Sequence, residues 1–161
     1  ESGRALLRLE QHSLSSIVTE AANGLAPQME EEHVRVRHDV SPSVAVLADR
    51  PQLVRAFTNL LDNARRFSPP AGIITVGAQP SQEPDRIEVF VSDEGPGIPP
   101  SEVERVFERF YRADAARAGQ GKGLGLAITK HIVTGHGGSI WVDQSERHRG
   151  TTIRLTLPSA D

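Results

Sequence analysis

The sequence predicts an α/β (α+β) two-layer sandwich: one mixed, mainly antiparallel sheet of about five strands packed against three helices. Three observations lead there. Stretches with period-two apolar alternation interleave with stretches of helical three-and-four spacing. Some successive strands are separated by short turns and others by a helix, so hairpins and crossovers occur together. The 161 residues fit one domain with one core. Strands and helices mixed in this way bury their apolar surfaces as a sheet with helices on one face.

Taken in order, ESGRALLRLEQH (1–12) reads as the end of a helix entering from a preceding region. TEAANGLAPQMEEE (19–32) is a helix weakened by Gly24 and Pro27. VRVRHDV (34–40) alternates as a half-buried strand does, and SVAVLA (43–48) is a second short strand. Asp49 suits an N-cap and Pro51 a first helical turn. The helix they open carries Leu53, Ala56, Phe57, Leu60, Leu61 and Ala64 on one face, and SPPAG (68–72) ends it. IITVGAQ (73–79) and RIEVFVSD (86–93) are strands joined by the polar turn PSQEPD, and DEGPGIPP is a loop. SEVERVFERFYR (101–112) predicts a helix opened by a Ser101–Glu104 capping box. ADAARAGQGKG (113–123) has no core pattern. LGLAITKHIVTGH (124–136) is a helix closed by Gly137-Gly138, and SIWVDQS and TTIRLTLP are closing strands.

Composition narrows the function classes. A net charge of −3 gives no nucleic-acid signal, since a duplex binder usually shows a basic face. The chain has no cysteine, hence no disulfide framework and no thiolate metal site. No apolar run approaches the roughly 18 residues of a membrane span. The chain begins at Glu1 rather than Met, and is expected to be a fragment of something longer.

Chemistry concentrates in three places. In NLLDN (59–63), Asn59 and Asn63 stand four apart on one helix face, although Asn is a mediocre helix former. Mg²⁺ takes oxygen ligands and keeps waters and substrate phosphates, so one neutral amide oxygen can complete its shell. Asn63 is the candidate ligand, Asn59 supports it, and Arg66, three residues on, can meet a phosphate. The bland reading is that both amides hydrogen-bond core backbone. In Asp93-Glu94-Gly95-Pro96-Gly97-Ile98, a carboxylate stands where a buried strand opens into a glycine loop. Asp93 there can accept from an exocyclic amine while the glycines let a planar ring approach the backbone; the bland reading is a turn. Gly121-Lys122-Gly123-Leu124-Gly125-Leu126 lies at a helix start, where free N–H groups and the dipole favour phosphate. It is not a P-loop, because Gly123 follows Gly-Lys and Ala116 replaces the first glycine. Its spacing is not a dinucleotide fingerprint, and its bland reading is a hinge.

These motifs in this order resemble the ATP-binding catalytic domain of bacterial sensor histidine kinases, of the GHKL superfamily. NLLDNARRFS is similar to the family's N box, DEGPGI to its first glycine box, ERVFERFYR to its F box and GKGLGLAI to its second glycine box, with HGGSIWV and GTTIRLTLP as closing strands. The resemblance covers residues 13–158 and implies the Bergerat ATP-binding fold, with ATP and Mg²⁺ as ligands. By resemblance, Asn63 binds Mg²⁺ and Asn59 lies beside the phosphates. Arg66 replaces a usual Lys at a phosphate, keeping charge but changing geometry. Phe67 packs near adenine, Asp93 accepts from its N6 amine, and Gly95, Gly97 and Ile98 shape its wall. Residues 108–122 form the ATP lid, whose Gly and Ala content predicts disorder until nucleotide and Mg²⁺ bind, and Arg112 reaches the phosphates. Gly121, Gly123 and Gly125, with Leu124 and Leu126 between and after them, bring N–H groups to the phosphates. Lys122 holds the γ-phosphate or stays solvated, and Thr151 touches the adenine side. The implied catalytic set is Asn59, Arg66, Arg112 and Lys122.

The resemblance places the phosphoacceptor histidine elsewhere. Only His38-Asp39 approaches the family's pattern, but Pro42 is four rather than five residues on and the site falls in a predicted strand. Residues 1–12 are then the tail of a dimerisation hairpin. The implied partners are that phosphoacceptor domain and a cognate response regulator. The fragment is expected to be monomeric, within a homodimeric, membrane-anchored bacterial sensor whose catalytic domain is cytoplasmic. Two relatives of similar fold are alternatives: an ATP hydrolase of the superfamily and an anti-sigma-type serine kinase. The hydrolases place a Glu four residues before the Mg²⁺-binding Asn, where this chain has Asn59. A degenerate nucleotide-sensing module is the non-enzymatic alternative.

Overall fold

The computed structural model describes residues 6–108, 125–143 and 150–160. In chain order these form β1 (Glu10–Ser13), α1 (Leu14–Gly24), α2 (Ala26–Glu31), β2 (Arg35–His38), β3 (Ala45–Ala48), α3 (Arg50–Phe67), β4 (Ile73–Pro80), β5 (Arg86–Asp93), α4 (Gly125–Gly135), β6 (Ile140–Asp143) and β7 (Thr151–Pro158). Five strands make one sheet in the order β2-β4-β5-β7-β6. The β2–β4 pair is parallel, with Val36 beside Ile74, and the other three pairs are antiparallel. Alternate residues Ile74, Val76, Val89, Val91, Ile153, Leu155 and Leu157 are buried against the helices, as a half-covered sheet requires.

The central helix is α3, packed between α1 and α4. Asp49 caps it, its Oδ1 accepting from the Gln52 N–H at 3.3 Å, and Pro51 sits in the first turn. Arg65 and Arg66 occupy the last turn, where cations suit the helix dipole. All six predicted apolar positions of this helix are buried. At the end of α4, Gly137 takes φ +82°, the Gly137 N–H donates to Thr134 O and the Gly138 N–H to Val133 O. That is a Schellman closure.

Three predicted elements differ. The stretch expected to end a helix over 1–12 is, where described, not helical: Glu10–Ser13 is a strand paired antiparallel with β3, in a separate two-stranded sheet. Pairing across the fold outweighs a local preference worth only tenths of a kcal/mol per residue. The helix expected over 19–32 begins at Leu14, capped by Ser13 Oγ, and breaks at Leu25. Pro27 is the cause: it has no N–H and clashes with the carbonyl four residues back, but fits the first turn of a new helix. The helix expected over 101–112 is a 3₁₀ turn at Pro100–Glu102 followed by turns to 108, and 109–112 lie outside the described residues. Its N–H groups donate three residues back, Glu102 to Pro99, Arg105 to Glu102 and Glu108 to Arg105. That tighter winding buries Val103, Val106 and Phe107 together, and the Ser101 capping box is not made.

Candidate functional site

The floor of the site is the end of β5. Asp93 pairs in register with Thr151 of β7 and is 5% exposed. Its Oδ1 accepts from the Gly95 N–H at 2.8 Å, and the Thr151 N–H donates to the same carboxylate. Burial pushes the Asp93 pKa up to about 6, against the opposing pull of those two N–H groups; Glu94 adds a small push in the same direction as burial. The loop that follows lies against the end of α3. A Cβ on Gly95 would stand 2.4 Å from the Phe67 carbonyl oxygen, so only glycine permits this approach. Gly97 holds φ +85°, and Ile98 is half-buried against the core, as is Phe67 among its neighbours.

A further glycine belongs here that sequence reasoning passed over. Gly150 has φ +106°, and a Cβ on it would fall 1.9 Å from the Asp93 carbonyl oxygen. The only sequence signal was a glycine immediately before a strand.

The wall is α3. Asn59 and Asn63 lie one turn apart, both half-buried. Among the described residues the Asn59 Nδ2 is buried without a hydrogen-bond partner. Such an orphan costs about 1–3 kcal/mol, and Ser68 Oγ and Arg86 Nη1 are the others among the described residues. The start of α4 faces it: a Cβ on Gly125 would lie 3.9 Å from Asn59 Cβ and Cγ. Leu126 is half-buried on the core. Thr129, also unforeseen, is fully buried, and its Oγ1 donates to Gly125 O at 2.8 Å. A Thr on the apolar side of a helix was its only signal.

Arg66 is exposed, and its Nη2 lies 2.8 Å from Asp62 Oδ2. Arg65 grips the other Asp62 oxygen at 2.7 Å and Glu32 at 2.8 Å. Asp62 is therefore held by two guanidinium groups, one on each carboxylate oxygen. The structure thus brings Phe67, Asp93, Gly95 and Thr151 together at the end of β5, with Gly97 and Ile98 in the loop that follows, and sets Asn59 beside Gly125, with Asn63 one turn further along α3. Arg112, Gly121, Lys122, Gly123 and Leu124, and the lid beyond residue 108, lie outside the described residues. His38 is on β2, its Nε2 3.3 Å from Ser15 O, and so not on an exposed helix.

The family described as histidine kinase-, DNA gyrase B-, and HSP90-like ATPase matches residues 48–161. The chain is 42% identical over 131 residues to the sensor histidine kinase WalK of Bacillus subtilis, a match covering 80% of this chain and 21% of that protein. It is 41% identical over 164 residues to the signal transduction histidine-protein kinase/phosphatase MprB of Mycolicibacterium smegmatis, covering 90% of this chain and 33% of that protein. The chain thus spans about a fifth to a third of the length of these relatives. Among solved structures, a mycobacterial sensor histidine kinase MprB matches with TM-score 0.82 at 34% identity, over 94% of this chain and 98% of that one. The catalytic domain of histidine kinase ThkA shares the fold, with TM-score 0.81 at 24% identity over 94% of this chain and 96% of that one.

Proposed function

Because the chain belongs to the family of histidine kinase-, DNA gyrase B- and HSP90-like ATPases, and within it is homologous to sensor histidine kinases, we propose that it is a phosphoryl donor. It binds Mg²⁺-ATP and gives the γ-phosphoryl group to a histidine on a separate dimerisation domain, from which a response-regulator aspartate receives it. The observation that carries this is the Asn59 amide, without a partner among the described residues and beside the start of α4, together with the buried carboxylate of Asp93 at the glycine loop.

In this reading Asp93 accepts from the adenine N6 amine, with Gly95, Gly97 and Ile98 as the wall, Phe67 packing near the ring and Thr151 behind. Asn59 donates to a phosphate. Asn63 holds Mg²⁺, which supplies charge neutralisation at the phosphates. The N–H groups at Gly125 and Leu126 add the helix dipole. Arg66 reaches a phosphate by leaving Asp62, and Arg112, Lys122 and the lid glycines complete the phosphate shell. Phosphoryl transfer needs alignment and charge more than a covalent group from this domain. A hydrolase is disfavoured because Asn59 occupies the position of a general base, and Asp62 is tied to Arg65 and Arg66. Among the described residues no helix is long and apolar enough to cross a membrane. We place the domain on the cytoplasmic side of a membrane-anchored homodimeric sensor.

Titration calorimetry with a non-hydrolysable ATP analogue tests this. The native chain is expected to bind, Asp93→Ala to abolish binding, and Asn63→Ala to remove the Mg²⁺ dependence. A folded native chain that does not bind would leave the degenerate module.

A further inference from the structure

Helices α3 and α4 run antiparallel and meet in one register. Gly125 lies beside Asn59, Thr129 Oγ1 lies 3.5 Å from Ala56 O, and His136 meets Asp49. Thr129 gives its shorter bond to its own helix, so the firm polar tie between the two helices is the one at His136. His136 is 5% exposed, just beyond the last turn of α4. Its Nδ1 lies 2.9 Å from Ile132 O and its Nε2 3.1 Å from the Asp49 N–H. A carbonyl can only accept and an amide N–H only donate, so Nδ1 carries the hydrogen and Nε2 is the acceptor.

Asp49 is a junction. Its N–H goes to His136, its Oδ1 caps α3, and its Oδ2 accepts from the Arg8 N–H at 3.1 Å. Leu7 completes the contact, its Cδ1 lying 3.9 Å from where a Gly135 Cβ would be. The segment leading into β1 is thus fastened to the same point that fixes the far end of α4. A rigid helix of 11 residues, about 16 Å, joins that point to Gly125.

We propose that His136 is a positioning residue for the nucleotide site, and that its junction with Asp49 couples occupation of that site to the docking of residues 7–9. The coupling rests on the nucleotide reading above. Coupling of this kind is reciprocal: nucleotide tightens the lead-in, and loosening the lead-in weakens nucleotide binding by the same factor.

The test uses the full chain with a non-hydrolysable ATP analogue and Mg²⁺, reading affinity by calorimetry and amide exchange over residues 7–13. In the native chain the analogue slows that exchange. His136→Leu weakens binding by about 5-fold or more and removes the slowing. His136→Gln, which keeps an acceptor near Nε2, restores both. Arg8→Pro, which deletes one exposed amide donor far from the nucleotide, weakens binding severalfold, whereas Arg8→Ala, which keeps the amide, does not. If His136→Leu fails to fold, the two Arg8 variants decide. Native affinity in Arg8→Pro, unchanged exchange on binding, or failure of His136→Gln to restore would each overturn the coupling while leaving the nucleotide site intact. No binding by the folded native chain would overturn both.

Discussion

Asp93 is the residue where stability and binding conflict most plainly. Its carboxyl is raised from an ordinary 3.8 to about 6 by burial. The folded chain therefore holds the proton more tightly than the unfolded chain does. Ionised Asp93 costs the apo fold stability at neutral pH, and that cost disappears as pH falls from about 6 toward 4. Two pKa units correspond to a cost on the order of 3 kcal/mol. Asp93→Asn is accordingly expected to unfold at a higher temperature than the native chain at pH 7.5, with the difference shrinking toward pH 4, as thermal melts across that range would register. Binding runs the other way. An amine donor is held more strongly by the ionised acceptor, so nucleotide affinity is expected to fall as pH drops through about 6, measured by calorimetry at pH 5, 6 and 7. The place of Asp93 was legible because a carboxylate at the end of an apolar strand is a local pattern. Gly150 was not: its necessity comes from the Asp93 carbonyl oxygen that the β5–β7 pairing presses against it.

At the scale of elements, α3 couples the core to the site. One face carries six buried apolar side chains, and the rest carries the two amides and the Asp62–Arg65–Arg66 cluster. Leu60, 1% exposed, sits between Asn59 and Leu61 in the sequence. Leu60→Ala is expected to cost about 3 kcal/mol in denaturant unfolding with an unchanged slope, and to weaken nucleotide binding by loosening Asn59. α3 was readable from end to end because its cap, its Pro51 start and its periodicity are all local. The 101–108 segment was misread for the same reason in reverse. Its capping pattern is local, but three buried side chains close it into 3₁₀-like turns.

For the whole molecule, the described residues offer no carboxylate aligned to activate water at Asn59 and Asn63. ATP turnover by the chain alone is expected to be slow, well below one per second, in a phosphate-release assay; burst-free turnover faster than that would favour the hydrolase reading. The fold is one core shared by α1, α3, α4 and the sheet, so thermal unfolding is expected to be a single transition, with calorimetric and van't Hoff enthalpies equal.

The amino-acid sequence by itself determined the fold class, the span of α3, the β4–β5 strands and the placing of Asp93 where a strand opens into a glycine loop. Each follows from periodicity, caps or turn chemistry within a few residues. Only the tertiary structure decided that residues 10–13 form a strand, that the Asn59 amide nitrogen has no partner among the described residues, and that His136 meets Asp49 across 87 residues. Those depend on which distant groups the closed chain brings together, and a hydrogen bond carries no trace of its partner in the local pattern.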